Sequence, residues 1–164
     1  MKHTVADNID LRYEFFPKSS EQFMVGMFYK RLQNPIEYGL LNEGQDTYYK
    51  PMNFGNATNL GVEVDIMKYF NWFGIKANYT YTHSSITTDK RIMEGNDVKS
   101  VSQTRPLFGQ AAHVANLSLL FKSTKYGWES QLAGSYTGKR LSDISNWYND
   151  DIWEDGYIQL DASV

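Results

Sequence analysis

The sequence predicts an all-β protein, an antiparallel meander of about seven strands of the kind that crosses a membrane. Three observations carry this. Apolar and polar residues alternate with period two in seven separate runs, the repeat of a strand with one apolar and one polar face. The connections between the runs alternate short and long along the whole chain, as in membrane barrels with tight turns on one side and long loops on the other. Aromatic residues make up 15% of the 164 residues, with 12 Tyr, 9 Phe and 4 Trp, a richness that interfacial girdles would explain.

The stretch from Ala57 to Thr82 shows the pattern most fully. Leu60, Val62, Val64 and Ile66 share one parity, against Gly61, Glu63 and Asp65. Ile75, Ala77, Tyr79 and Tyr81 then alternate with Lys76, Asn78, Thr80 and Thr82. Between the two runs lie Tyr69, Phe70, Trp72 and Phe73, where a soluble hairpin would favour Gly, Asn and Asp. Taken alone, this hairpin fits either a half-solvated sheet or a barrel wall.

Upstream, Asn8 to Phe16 reads as the first strand, with Ile9, Leu11, Tyr13 and Phe15 opposed to Asp10, Arg12 and Glu14. Pro17 to Glu21 is a short turn. Gln22 to Leu32 is the second strand; Phe23, Val25, Met27 and Tyr29 form one face and Met24, Gly26, Phe28 and Lys30 a mixed one. A long segment from Ile36 to Asn56 leads into the central hairpin, which supplies strands three and four, and a second long loop runs from His83 to Gln110. The fifth strand, His113 to Lys122, alternates Ala115, Leu117, Leu119 and Phe121 with Asn116, Ser118 and Lys122. After the short Ser123–Gly127 comes the sixth, Trp128 to Thr137, then a third long loop from Gly138 to Gly156. The seventh begins at Tyr157 with Ile158, Leu160, Ala162 and Val164 on one parity. Strands of about ten residues match the ~9–11 that cross a bilayer at a tilt. A sandwich with a turn signal every ~8–12 residues would not alternate its connections so strictly. The barrel is therefore the preferred architecture.

Composition excludes several classes. No apolar run approaches the ~20 residues of a membrane helix. The net charge of −3 and the lack of a basic patch argue against nucleic acid as a partner. There is no Cys, hence no disulfide or thiol chemistry. No G-x-S-x-G, P-loop or Cys-His arrangement occurs, so no catalytic residue and no cofactor are expected. His3, His83 and His113 lack metal-ligand spacing, so no metal site is expected. Met1-Lys2-His3 is not followed by an apolar segment. An envelope protein would need a signal peptide, so the expectation is a piece of a longer chain.

Phe28-Tyr-Lys-Arg-Leu-Gln-Asn-Pro-Ile-Glu37 resembles a stretch of the TonB-dependent outer-membrane receptors, particularly those of Bacteroidetes type. Asn53-Phe-Gly-Asn-Ala-Thr-Asn-Leu-Gly-Val-Glu63 is similar to the strand entry that follows in that family, and Tyr79-Thr-Tyr-Thr-His-Ser84 to a strand exit. Pro106-Leu-Phe-Gly-Gln110, Gly138-Lys-Arg140 and Leu160-Asp161 continue in the family's order. Each motif is weak alone; their order and spacing together are fairly specific, and they cover nearly the whole chain. The resemblance implies part of the C-terminal half of a 22-stranded outer-membrane barrel, with residues 1–164 as one partial barrel domain. The family's N-terminal plug, its TonB box and its terminal aromatic strand do not occur in this sequence. It also implies active uptake of a ligand such as a siderophore, cobalamin or an oligosaccharide, and residence in the bacterial outer membrane. The implied partners are membrane lipid, the protein's own plug domain and the TonB energy-transducing complex; a surface lipoprotein is left open. Two other readings stand beside it: a soluble β-sheet carbohydrate-binding module and a passive porin-like barrel.

Two sets of candidate residues follow. Glu63, Asp65, Lys76, Asn78, Lys122 and Glu129 lie on polar strand faces and would face the lumen of a barrel; in any other sheet they are a solvated face. In the third long loop Trp147, Tyr148 and Trp153 accompany Asp143, Asp150, Asp151, Glu154 and Asp155, with no Lys or Arg from Ser142 to Gly156. Aromatic faces beside carboxylates can hold a sugar ring or a cation, and the carboxylates could gather Ca²⁺, though their spacing is not that of an EF-hand. The plainer reading is an exposed acidic loop. Tyr48 and Tyr49 in the first loop are weaker ligand candidates.

Overall fold

A computed structural model describes residues 1–43, 46–123 and 125–164. Among them are twelve strands: β1 (Val5–Lys18), β2 (Glu21–Gln33), β3 (Ile36–Glu43), β4 (Asp46–Asn53), β5 (Asn56–Phe70), β6 (Phe73–Glu94), β7 (Asp97–Arg105), β8 (His113–Ser123), β9 (Trp128–Thr137), β10 (Arg140–Asp143), β11 (Ile152–Glu154) and β12 (Tyr157–Ser163). The fold is an all-β antiparallel meander. Its main sheet has the order β1-β2-β5-β6-β8-β9-β12, with β7 paired to the far part of β6. The seven strands of that path are the seven read from the sequence. Among the described residues β1 and β12 each have one strand neighbour, so the sheet is open at both edges.

The register is what makes the alternation a surface. Tyr13, Val25, Val64, Tyr79, Ala115, Tyr136 and Ile158 form one row across all seven strands. The row beside it runs Phe15, Phe23, Ile66, Ala77, Leu117, Gly134 and Leu160. A slip of one residue between any two strands would move a whole strand's apolar set to the other face. The opposite face carries Glu14, Met24, Asp65, Asn78, Asn116, Ser135 and Gln159 in one row. This register settles the second strand, whose two faces were hard to tell apart: Phe23, Val25, Met27 and Tyr29 join the apolar face. Phe28 falls on the polar face, where Gly61 makes room for its ring; a Cβ on Gly61 would come within 2.4 Å of Phe28 Cζ.

The short connections are tight. Lys18 pairs with Glu21 and Phe70 with Phe73, so Ser19-Ser20 and Asn71-Trp72 are two-residue turns. Asn71 takes φ +44°, a left-handed conformation that Asn tolerates at little cost. The aromatics at this turn cluster: Trp72 stacks on Phe121 at 6.0 Å between ring centroids, and Phe73 meets Phe121 tilted at 5.3 Å.

The three long connections depart from the sequence reading. Each contains a hairpin: the first two are largely strand, and the third carries a short pair around an irregular stretch. β3 and β4 form one hairpin, the second half of β6 forms another with β7, and β10 and β11 a third. β6 continues unbroken through Ser84, Ile86, Thr88 and Lys90, whose side chains are buried. Among the described residues the buried apolar side chains are Ala57, Ile86, Ala111, Leu141 and Ile144. Every one of them lies at the hairpin end of the molecule. The wall itself buries none of its large apolar residues: Leu11, Leu117 and Leu160 are 67%, 49% and 74% exposed. A sheet that opens a continuous apolar face this wide is built to meet an apolar medium or partner.

Candidate functional site

The hairpin end is where side chains converge. The three hairpins are joined first through backbone. Leu40 N–H donates to the Ile144 carbonyl at 2.9 Å, Arg91 N–H to the Asn146 carbonyl at 2.8 Å and Tyr148 N–H to the Arg91 carbonyl at 2.9 Å. Gly109 N–H donates to the Leu141 carbonyl at 2.9 Å. Residues of the third connection are thereby held against both β3 and β6. Leu141 and Ile144 fill the space between them and are fully buried.

Two buried ion pairs complete the joint. Arg105 at the end of β7 reaches Glu37 of β3, Nη2 to Oε2, at 2.8 Å. Glu37 Oε1 accepts from Phe108 N–H at 2.8 Å, and Arg105 Nη1 donates to the Pro106 carbonyl at 3.1 Å. The Arg105 guanidinium also lies 5.2 Å from the Phe54 ring centre. On the other side Lys90 of β6 meets Asp151 at 2.6 Å, with both side chains almost completely buried. Lys90 donates as well to the Ser145 carbonyl, and Asp151 Oδ1 accepts from Ser145 N–H at 2.9 Å. Hydrogen bonds of this kind satisfy the remaining lone pairs and protons of a buried pair, without which its desolvation is not repaid. The first pair ties hairpin one to hairpin two; the second ties hairpin two to the third connection.

The structure distributes the loop residues singled out in the sequence. Asp151 is spent on Lys90. Asp150 accepts from Ser145 Oγ at 2.8 Å, and Trp147 is held by its N–H to the same hydroxyl at 3.1 Å. Tyr148 and Trp153 keep much of their rings exposed. Tyr49 is exposed and donates its hydroxyl to Asp143 Oδ1 at 2.8 Å, a third bridge between hairpins; Tyr48 is half-buried on the same strand. Among the described residues no three His, Asp or Glu side chains gather as a cation site. The sequence reading missed Glu37, Lys90, Arg105, Gln103 and Asn149. Glu37 did stand in the quoted Asn-Pro-Ile-Glu motif, but nothing local pointed it at Arg105.

The Tyr49–Asp143 bridge has a pH signature. The hydrogen bond to Asp143, with smaller contributions from partial desolvation and the carboxylate's charge, raises the Tyr49 hydroxyl above its usual value. Raising a folded-state pKa means the folded protein holds the proton longer. The bridge's stabilisation is therefore complete below the ordinary tyrosine range and is lost as pH rises through the raised value. In an alkaline ultraviolet titration, Tyr49→Phe should remove one late-ionising tyrosine from the curve; removal of an ordinary one would contradict the bridge.

Along the wall the polar face carries Glu63, Asp65, Lys76, Asn78, Lys122 and Glu129 on one side of the sheet. Asn116 Nδ2 donates to Asn78 Oδ1 at 2.7 Å, Arg12 lies 3.9 Å from Glu63, and Lys122 pairs with Glu129. Lys76, Lys122 and Glu129 are exposed and Glu63, Asp65 and Asn78 half-buried; they form a polar surface, not a reactive constellation.

A two-faced meander with tight turns at one end and locked hairpins at the other is a barrel wall, and the comparison with family models agrees. The model described as TonB dependent receptor-like, beta-barrel, matches residues 2–164. The chain belongs to the TonB-dependent receptor β-barrel family. That is a class of outer-membrane receptors and transporters, not of enzymes. No curated protein and no solved structure matches the chain.

Proposed function

We propose that this chain is one part of the barrel of a TonB-dependent transporter that actively imports a ligand such as a siderophore, cobalamin or an oligosaccharide. The observation that carries the reading is the register, which assembles seven separate alternations into one apolar and one polar surface. The apolar rows face lipid. Glu63, Asp65, Lys76, Asn78, Lys122 and Glu129 face the lumen, where a plug domain of the same protein rests against them. The open edges of β1 and β12 are closed by further strands of that protein, because an unpaired edge has no place in a bilayer. The joined hairpins stand on the extracellular side, with Tyr48, Tyr49, Trp147, Tyr148, Asp150, Asp151 and Trp153 among the residues around the ligand's entry. The TonB complex acts on the plug from the periplasmic side.

Cell fractionation of the full-length protein tests this. It should appear in the outer membrane and migrate faster on a gel when left unboiled, as closed barrels do. Recovery in the soluble fraction would end the reading and return the soluble-module alternative. Ligand uptake that persists without the energy-transducing protein would favour a passive pore.

A further inference from the structure

The proposed function leaves the ligand's chemistry open, and one cleft narrows it. Between β7 and the third connection lies a cleft of about 260 Å³, lined by Gln103, Arg105, Pro106, Asn149, Asp151 and Trp153, with Thr104 at its edge. Its position follows from the strand alternation. Ile86 and Thr88, which continue the polar parity of β6, pair with Arg105 and Gln103. The cleft's β7 wall is therefore an upward continuation of the polar face, not of the apolar one.

Its charged members are already neutralised. Arg105 is paired with Glu37 at 2.8 Å and Asp151 with Lys90 at 2.6 Å, and all four side chains are more than nine-tenths buried. Arg105 Nε nevertheless has no hydrogen-bond partner. The groups that remain at the surface are neutral. The Gln103 and Asn149 amides hold each other, Gln103 Nε2 donating to Asn149 Oδ1 at 3.2 Å and Asn149 N–H to Gln103 Oε1 at 3.1 Å. Asn149 is fixed further by its left-handed φ of +58°. Trp153 is 43% exposed. Lys139 lies 5.9 Å from the centre of its ring, but that ammonium is paired with Asp155 at 3.2 Å.

We infer that this cleft is a subsite for a neutral, polyhydroxylated ring, one sugar unit of an oligosaccharide. An aromatic plane packs on the C–H face of such a ring, and fixed amides serve its hydroxyls as both donors and acceptors. An anionic chelate would need an unpaired cation, and a cationic ligand an unpaired carboxylate; the pairs above consume both. The volume is below the ~300–1,000 Å³ of a pocket for a drug-sized ligand, which suits a single ring rather than a macrocycle. The inference rests on the transporter reading and assigns its substrate class.

The test uses the full-length receptor, purified in detergent, on an array of neutral and acidic oligosaccharides, with a ferric catecholate and cobalamin as further probes. Binding to neutral glycans is expected. Trp153→Ala should weaken it at least tenfold and Trp153→Phe much less, while the unboiled gel mobility of both stays that of the parent. Gln103→Ala should weaken it severalfold. No neutral glycan bound, or glycan binding indifferent to Trp153 and Gln103, overturns the inference. Selective binding of the catecholate or cobalamin overturns it as well. Any of these results from a protein that is heat-modifiable and outer-membrane located leaves the transporter reading standing; loss of those two properties in the parent defeats that reading instead.

Discussion

Replacing Arg105 with Met should destabilise the packed hairpins by about 3–5 kcal/mol, the usual penalty for removing one partner of a buried ion pair. Glu37 would keep its charge in a site where it is 8% exposed, with only Phe108 N–H left to it at 2.8 Å. The cost is that of a stranded carboxylate, not the worth of the pair. The double change Arg105→Met with Glu37→Leu should therefore recover much of the loss, since an apolar pair of similar volume has no charge to desolvate. Hydrogen exchange on the full-length protein reads this directly. Amides of Leu40, Gly109 and Tyr148, which carry the bonds between hairpins, should lose protection in Arg105→Met, while the β8–β9 ladder keeps its own. Equal protection in the single and the double variant would show that the pair holds nothing together.

Leu117→Arg is expected to cost roughly 2–4 kcal/mol if the residue lies near the bilayer midplane, whereas Ser118→Arg, one position on, should cost far less. Leu117 sits fifth in the seven-residue row from Phe15 to Leu160, with that apolar face unbroken on both sides of it. Ser118 points the other way, toward Lys76 across the β6–β8 ladder and Gln131 at 3.4 Å. Refolding titrations of the full-length barrel in lipid measure both. Equal costs would contradict the assignment of the faces.

The wall was legible because its cause is local. Period-two alternation in Leu60–Ile66 or Ala115–Phe121 is fixed by which face must be apolar, and no distant residue is needed to see it. The tight turns were equally plain, since each follows directly where the alternation stops. The hairpin end was not legible for the same reason reversed. Glu37 and Arg105 are 68 residues apart, and Lys90 and Asp151 61 apart, so neither sequence neighbourhood announces the pairing. An acidic loop without Lys or Arg looked like free carboxylates, because its counter-charge comes from another hairpin. One part of the hairpin end does carry a local signal. Glu94-Gly95-Asn96-Asp97, with Gly95 at φ +67°, is a turn sequence, and it explains why the second long connection is a β6–β7 hairpin. For the loop residues, the aromatic half of the sequence reading keeps its candidates in Tyr148 and Trp153; the carboxylate half is largely absorbed by structure.

The most direct measurement is a scan of spin labels along β8 in the full-length protein reconstituted in lipid. The chain has no cysteine of its own, so single cysteines at positions 115 to 120 can carry the label without background from this segment. Collision with oxygen, which concentrates in the bilayer, should be high at 115, 117 and 119 and low at 116, 118 and 120, with a water-soluble nickel chelate showing no access to the odd set. A profile without period two, or nickel access at 115, 117 and 119, would contradict a membrane wall with lipid on one face.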